Sequence, residues 1–182
     1  LDLVSMTRAH IADPHIVNKI TQGDEASIRP CVGMGYCIDR IYGEGEAICI
    51  HNPSTGRESQ LPHIITKDTK KPLAILVVGA GPAGLEASRV CASKGHHVTL
   101  LEASDRHGGQ LNLAAQVKRR RDILGITDWL FEQCKKLGVD IRFNYFAEKE
   151  VLNEFPHDIV LIATGGLPNV GFIKEGLELV TT

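Results

Sequence analysis

The chain has 182 residues, 43% of them apolar and 23% charged, a balance that supports a buried core and excludes a disordered or fibrous chain. A formal net charge of −2 and a pI near 6.5 leave no broad positive field, which excludes nucleic acid and anionic membranes as partners. No stretch approaches the roughly 20 apolar residues of a membrane span, and the opening LDLVSMTRAH lacks the basic and apolar regions of a secretory signal, so the cytoplasm is the expected compartment.

Three regions separate by composition: residues 1–28, 29–70 and 71–182. In the first, Leu1-Asp2-Leu3-Val4 reads as a strand entered partway through, and with no initiating methionine this predicts a fragment of a longer protein. Asp13 followed by Pro14 is a helix start, Ile16, Val17 and Ile20 give one apolar face, and Gly23 stops the helix. The second region holds Gly33, Gly35, Gly43, Gly45, Pro53 and Gly56 without periodicity, so it is expected to order only against a ligand or a docking surface. Cys31, Cys37 and Cys49 crowd into it. With Cys91 and Cys134 they make an odd set of five, which fits metal or cluster ligation in a reducing compartment better than a disulfide framework. Residues 67–71, ended by Pro72, read as a linker.

In the third region the apolar run Leu73-Ala74-Ile75-Leu76-Val77-Val78 predicts a strand buried on both faces of a parallel sheet. A helix follows with Pro82 at its start, Ala83, Ala87, Val90 and Cys91 along one side and Gly95 at its end, and residues 98–101 form the next strand. Ile126, Leu130, Cys134 and Leu137 recur at helical spacing before Gly138, residues 139–143 alternate as a strand, and residues 159–163 form another buried run. The expected fold is α/β, a Rossmann-like parallel sheet of at least four strands. Cys91 and Cys134 read as buried thiols, Lys118-Arg119-Arg120-Arg121 as a solvated turn, and His96-His97 as a turn lacking metal-spaced partners.

The sequence Gly79-Ala80-Gly81-Pro82-Ala83-Gly84 falls between a predicted strand and a predicted helix, the context that makes a glycine pattern a dinucleotide fingerprint. One glycine permits the tight turn, one lets backbone approach a pyrophosphate, and one lets helix and strand pack closely, while the helix N-terminus offers unpaired N–H groups. Glu102, followed by Ala103, ends the next strand. It is placed to accept hydrogen bonds from an adenosine ribose and disfavours the 2′-phosphate of NADP. These features serve NAD and FAD equally.

The choice between them comes from resemblance. Gly108-Gly109-Gln110-Leu111 and Ala163-Thr164-Gly165 resemble the second and third signatures of the two-dinucleotide-domain flavoproteins, which implies FAD or its ADP portion as the ligand. Arg29-Pro30-Cys31-Val32-Gly33, then Cys37-Ile38-Asp39-Arg40 and Cys49-Ile50-His51-Asn52, resemble the linker of the trimethylamine dehydrogenase and 2,4-dienoyl-CoA reductase group of NADH:flavin oxidoreductases. The wording is nearest the dimethylglycine and N-methylproline demethylases. The resemblance covers nearly the whole chain and implies the end of an FMN-containing TIM barrel over residues 1–28, an iron–sulfur-like segment over 29–70, and an incomplete FAD- or ADP-binding domain over 71–182. Arg8 matches the arginine that the family places on the FMN phosphate. The implied partners are the rest of the parent chain, with its FMN barrel and nicotinamide-type domain, and a small-molecule substrate; an electron-transfer partner and an oligomer remain open. The implied role is electron transfer between FMN and a second nucleotide site, with no catalytic residue in this chain. The rivals are an NAD(P)H-dependent dienoyl-CoA-type reductase and a structural module holding ADP.

One departure from the family pattern concerns iron. The family's second cluster cysteine is Met34 here. A neutral thioether in place of a thiolate removes a charge and a strong bond, so Cys31, Cys37 and Cys49 alone are expected to hold no stable [4Fe–4S] cluster, and Met34→Cys is expected to restore one.

Overall fold

The computed structural model describes residues 2–67 and 70–166. Three short helices come first, α1 (Thr7–Ala12), α2 (Ile16–Thr21) and α3 (Tyr36–Tyr42). Strands β1 (Ala74–Val78), β2 (His97–Leu101), β3 (Asp140–Arg142) and β4 (Ile159–Ile162) then build one parallel sheet in the order β3-β2-β1-β4. Helix α4 (Pro82–Lys94) connects β1 to β2. Helix α5 (Leu111–Ala114), the 3₁₀ segment Lys118–Ile123 and helix α6 (Leu124–Lys136) connect β2 to β3, and α7 (Lys149–Leu152) lies between β3 and β4.

The aliphatic run of β1 is buried on both sides. Val77 and Leu100 are paired neighbours in the sheet and join Leu85, Ile126, Leu130 and Cys134 in the core beneath α4 and α6. Leu76 and Leu101, which alternate to the other face, are also fully buried. Right-handed crossovers explain both faces: the sheet grows from β1 to β3 in one direction and returns to β4 in the other, so the last connection lies opposite α4 and α6. Pro82 occupies the start of α4, and Gly95 closes the helix in the left-handed region at φ 100°.

Several expectations are corrected. Residues 2–6 form no strand, and Leu3 and Val4 are exposed, because nothing among the described residues pairs with their backbone; Leu1 lies outside the described residues. Arg8 sits on a helix, α1. Helix α2 starts at Ile16, after Pro14. Asp13 is not its cap and instead accepts the His15 N–H at 3.0 Å in a local turn. The run at residues 159–163 is not buried: among the described residues no strand pairs with the outer side of β4, and Ile162 is 77% exposed. Cys134 is buried as expected, whereas Cys91 is only half-buried, packed against the rim of the core.

The glycine-rich segment finds its order on a docking surface, and α6 is part of that surface. Within the segment the Arg29 guanidinium lies 4.4 Å over the Trp129 ring and Val32 enters the core, while just before it the Ser27 carbonyl accepts the Trp129 Nε1–H at 3.2 Å and Asp24 takes Lys136 at 2.8 Å. Side chains then tie the segment to α1 and to itself across long separations: Asn52 Nδ2 donates to Ala12 O at 2.9 Å, Thr55 Oγ1 to Ile11 O at 2.8 Å and Arg29 to His51 O at 2.6 Å.

Candidate functional site

The strand-to-turn-to-helix passage at residues 78–84 is the centre of the candidate site. Gly79 leaves β1 at φ 104°, where a side chain is strained, and a Cβ there would also lie 2.5 Å from the Ala163 carbonyl oxygen. A Cβ on Gly84 would collide with the Gly79 carbonyl oxygen, so this glycine lets the first turn of α4 rest on the strand end. Gly81 is different. Its φ of −74° suits any residue, and among the described residues nothing lies within 4 Å of where its Cβ would be. Neither backbone strain nor internal packing requires glycine there. What glycine provides is bare backbone open to the outside at the mouth of α4, where the first-turn N–H groups have no intrahelical acceptors.

Three other segments meet this turn. The Glu102 carboxylate accepts the Ala80 N–H at 2.6 Å with one oxygen, and the Ser104 N–H and hydroxyl at 2.9 and 2.8 Å with the other. The acid is thus fixed against the turn before any ligand arrives. The Gly108 N–H donates to the Ala80 carbonyl at 2.9 Å, and a Cβ on Gly109 would lie 3.3 Å from the Gly81 Cα, so the glycine pair lies directly against the turn. From the other side, the Ala163 N–H donates to Val78 O at 2.8 Å as the chain leaves β4 toward Thr164 and Gly165. The Gln110 amide donates to the Gly166 carbonyl and joins the two flanking loops. Residues 79–84, Glu102, Ala103, Gly109, Gln110, Leu111, Ala163, Thr164 and Gly165 therefore belong to one neighbourhood at the carboxyl ends of the strands, the usual ligand position of such sheets.

Reading the sequence missed Ser104, whose two bonds orient Glu102. A hydroxyl two residues after a strand-ending acid is a local signal that could have found it. Arg8 is not brought to this neighbourhood: it is exposed on α1 and lines a hollow with Cys31, Met34, Cys37, Cys49 and His51. His51 is buried, and desolvation pushes its pKa down to about 4. It is therefore neutral and donates from Nδ1 to the Pro30 carbonyl at 3.0 Å. Although the three cysteines share this hollow with Met34, no three His, Cys, Asp or Glu side chains among the described residues converge to hold a metal ion. No helix among them is long and apolar enough to cross a membrane.

Comparison with known proteins finds that residues 64–181 match the family model described as pyridine nucleotide-disulphide oxidoreductase. Over all 182 residues the chain is 52% identical to a probable N-methylproline demethylase of Rhizobium meliloti, of which it covers 27%. It is 52% identical over 93% of its length to a multifunctional alkene reductase/demethylase of Caballeronia cordobensis, covering 24% of that protein. Among solved structures, 6-hydroxypseudooxynicotine amine oxidase of Pseudomonas geniculata N1 superposes with a TM-score of 0.86 at 31% identity, over 91% of this chain and 25% of that one. The chain thus spans about a quarter of the length of these relatives.

Proposed function

The chain belongs to the pyridine nucleotide-disulphide oxidoreductase family, and from that premise we propose that the turn at residues 79–84 binds the ADP portion of FAD within a flavin-dependent oxidoreductase of the amine demethylase or dehydrogenase type. The observation that carries this reading is Gly81, a glycine that neither strain nor packing explains, opening onto free space at the N-terminus of a 13-residue helix. A pyrophosphate would take the N–H groups of that first turn, Glu102 would accept the ribose hydroxyls, and the loops at 109–111 and 163–165 would flank the nucleotide. When bound, FAD supplies the hydride and electron chemistry; these residues hold and orient it and keep its charge matched to the helix end. The parent protein would pass electrons between this nucleotide and an FMN site held elsewhere, where substrate is oxidised, with Arg8 contributing to the FMN phosphate contacts. The cysteine hollow offers three thiols and a thioether. That donor set falls short of the four thiolates that a [4Fe–4S] cluster takes, so the proposal routes no electrons through one.

The test is calorimetry of ADP and FAD binding to two variants. Gly81→Ala adds one methyl group where the protein itself has room. Stability is expected to stay within about 0.5 kcal/mol while affinity falls by tenfold or more, an effect of about 1.4 kcal/mol. Glu102→Ala is expected to weaken ADP by about ten- to a hundredfold, since a hydrogen bond to a charged partner contributes about 1.5–3 kcal/mol. Unchanged affinity in both variants removes the nucleotide from this turn.

A further inference from the structure

At the seam where the N-terminal helices meet α4 and α6, Asp13, Lys19, Arg29, Arg89, Trp129 and Gln133 line a polar hollow. It shares no residue with the glycine turn, and Arg89 lies about two helical turns further along α4. Most of its charges are matched internally. Asp13 takes the Lys19 ammonium at 2.5 Å and the Arg29 N–H at 2.8 Å, and Arg89 grips Glu86 with two bonds of 2.9 and 2.7 Å. The Arg29 guanidinium is left over. Arg29 is only 8% exposed, its side chain donates to the His51 carbonyl, and the guanidinium lies 4.4 Å over the Trp129 ring, but among the described residues no carboxylate comes within ion-pair distance of it. The amide nitrogen of Gln133, which lines the same hollow, is shielded from solvent and has no acceptor among the described residues. A desolvated cation without an ion-pair partner and a desolvated donor without an acceptor line the same hollow, and one kind of group answers both deficits.

We propose that this hollow binds a small oxyanion, the carboxylate or phosphate group of a ligand, on the Arg29 guanidinium with the Gln133 amide as second donor. Arginine suits the role because its planar fork matches either oxyanion in two-point contact. The site contains its own reporter, since Trp129 is the single tryptophan of the chain and stacks on the binding cation.

The full chain, saturated with ADP so that the glycine turn is occupied, is titrated with inorganic phosphate and separately with acetate. Sodium chloride at matched ionic strength is the control, and tryptophan emission is followed. A saturable change with phosphate, acetate or both supports the site and tells which oxyanion it prefers. Gln133→Met removes the second donor without changing the charge and is expected to weaken binding about tenfold. Arg29→Met is expected to abolish it. Because Arg29 also supports the His51 carbonyl, that variant is compared only after its melting curve matches the parent chain, and Gln133→Met carries the decision if it does not. No saturable change with either anion, or an unaltered affinity in folded Gln133→Met, overturns the proposal.

Discussion

Between residues 73 and 163 order comes from backbone pairing and aliphatic burial: β1 is paired along both edges, and α4 and α6 close one face over Val77 and Leu100. Between residues 7 and 63 there is no sheet. The segment is held by side chains that reach distant backbone, such as Asn52 to the Ala12 carbonyl and Thr55 to the Ile11 carbonyl, and by its seat on Trp129. The two regions fail differently as a result. A fault in the first is a packing fault and spreads through a shared core, whereas a fault in the second leaves a few polar groups unsatisfied and stays local. Gly84 answers to a close contact inside the protein, while Gly33 and Gly35 have open space around them and serve only the left-handed backbone of the loop.

The sharpest break in this comparison is Gly84→Ala. The added methyl group has the Gly79 carbonyl oxygen in its place, so α4 must move away from β1. Overpacking of this kind typically costs about 1–3 kcal/mol, and with backbone as the opposing atom about 3 kcal/mol or more is expected, a fall of at least about 6 °C in melting temperature. Calorimetric melting checks it. A Gly84→Ala protein as stable as Gly81→Ala would mean that the turn is not packed as described. The matching change in the other region is Asn52→Ala, which leaves the Ala12 carbonyl and the Ser54 N–H without their buried partner. The expected loss is about 1–3 kcal/mol. Hydrogen exchange should place the loosening in residues 7–63 with ADP affinity unaltered. A parallel fall in ADP affinity would show that the two regions are coupled and that the division drawn between them is wrong.

How much was legible in the sequence follows the same line. The parallel sheet, α4 with its proline start and glycine end, and the glycine turn were readable because each is written within a few consecutive residues: a buried strand run, a helical period, a spacing of two and three between glycines. Glu102 was readable as the acid that ends the second strand, and the structure adds that Ser104 and the Ala80 N–H hold it in place. What the sequence hid depends on partners far along the chain. The exposure of Ile162 follows from β4 lying last among the described strands, a property of strand order that an apolar run does not encode. The helix at Thr7–Ala12 lacks an acidic first turn and any side-chain cap, so local signals gave it no weight. The seating of Arg29 and Ser27 on Trp129, a hundred residues away in the chain, has no periodic signature at all.

The smallest effect expected concerns Cys134, where α6 meets α4 in the shared core. Its thiol is fully buried and donates to the Leu85 carbonyl at 3.3 Å, and burial pushes its pKa from the usual 9.0 up to about 12. The folded thiol therefore keeps its proton in a range where the unfolded one gives it up. The contribution of Cys134 to stability is fully present below about pH 9 and declines as pH rises from there toward about 12, because the unfolded state alone gains by ionising. Each pH unit well above the unfolded value costs about 1.4 kcal/mol, and the onset is gradual, so about 1 kcal/mol should be lost by about pH 9.5. Denaturant unfolding of the parent chain and of Cys134→Ala at about pH 8 and 9.5 isolates the contribution. The variant starts less stable, since it leaves a cavity, but its stability should change less across that interval by about the same 1 kcal/mol. Equal slopes in the two proteins would mean that the thiol ionises as readily folded as unfolded, which a group enclosed between α4 and α6 cannot do.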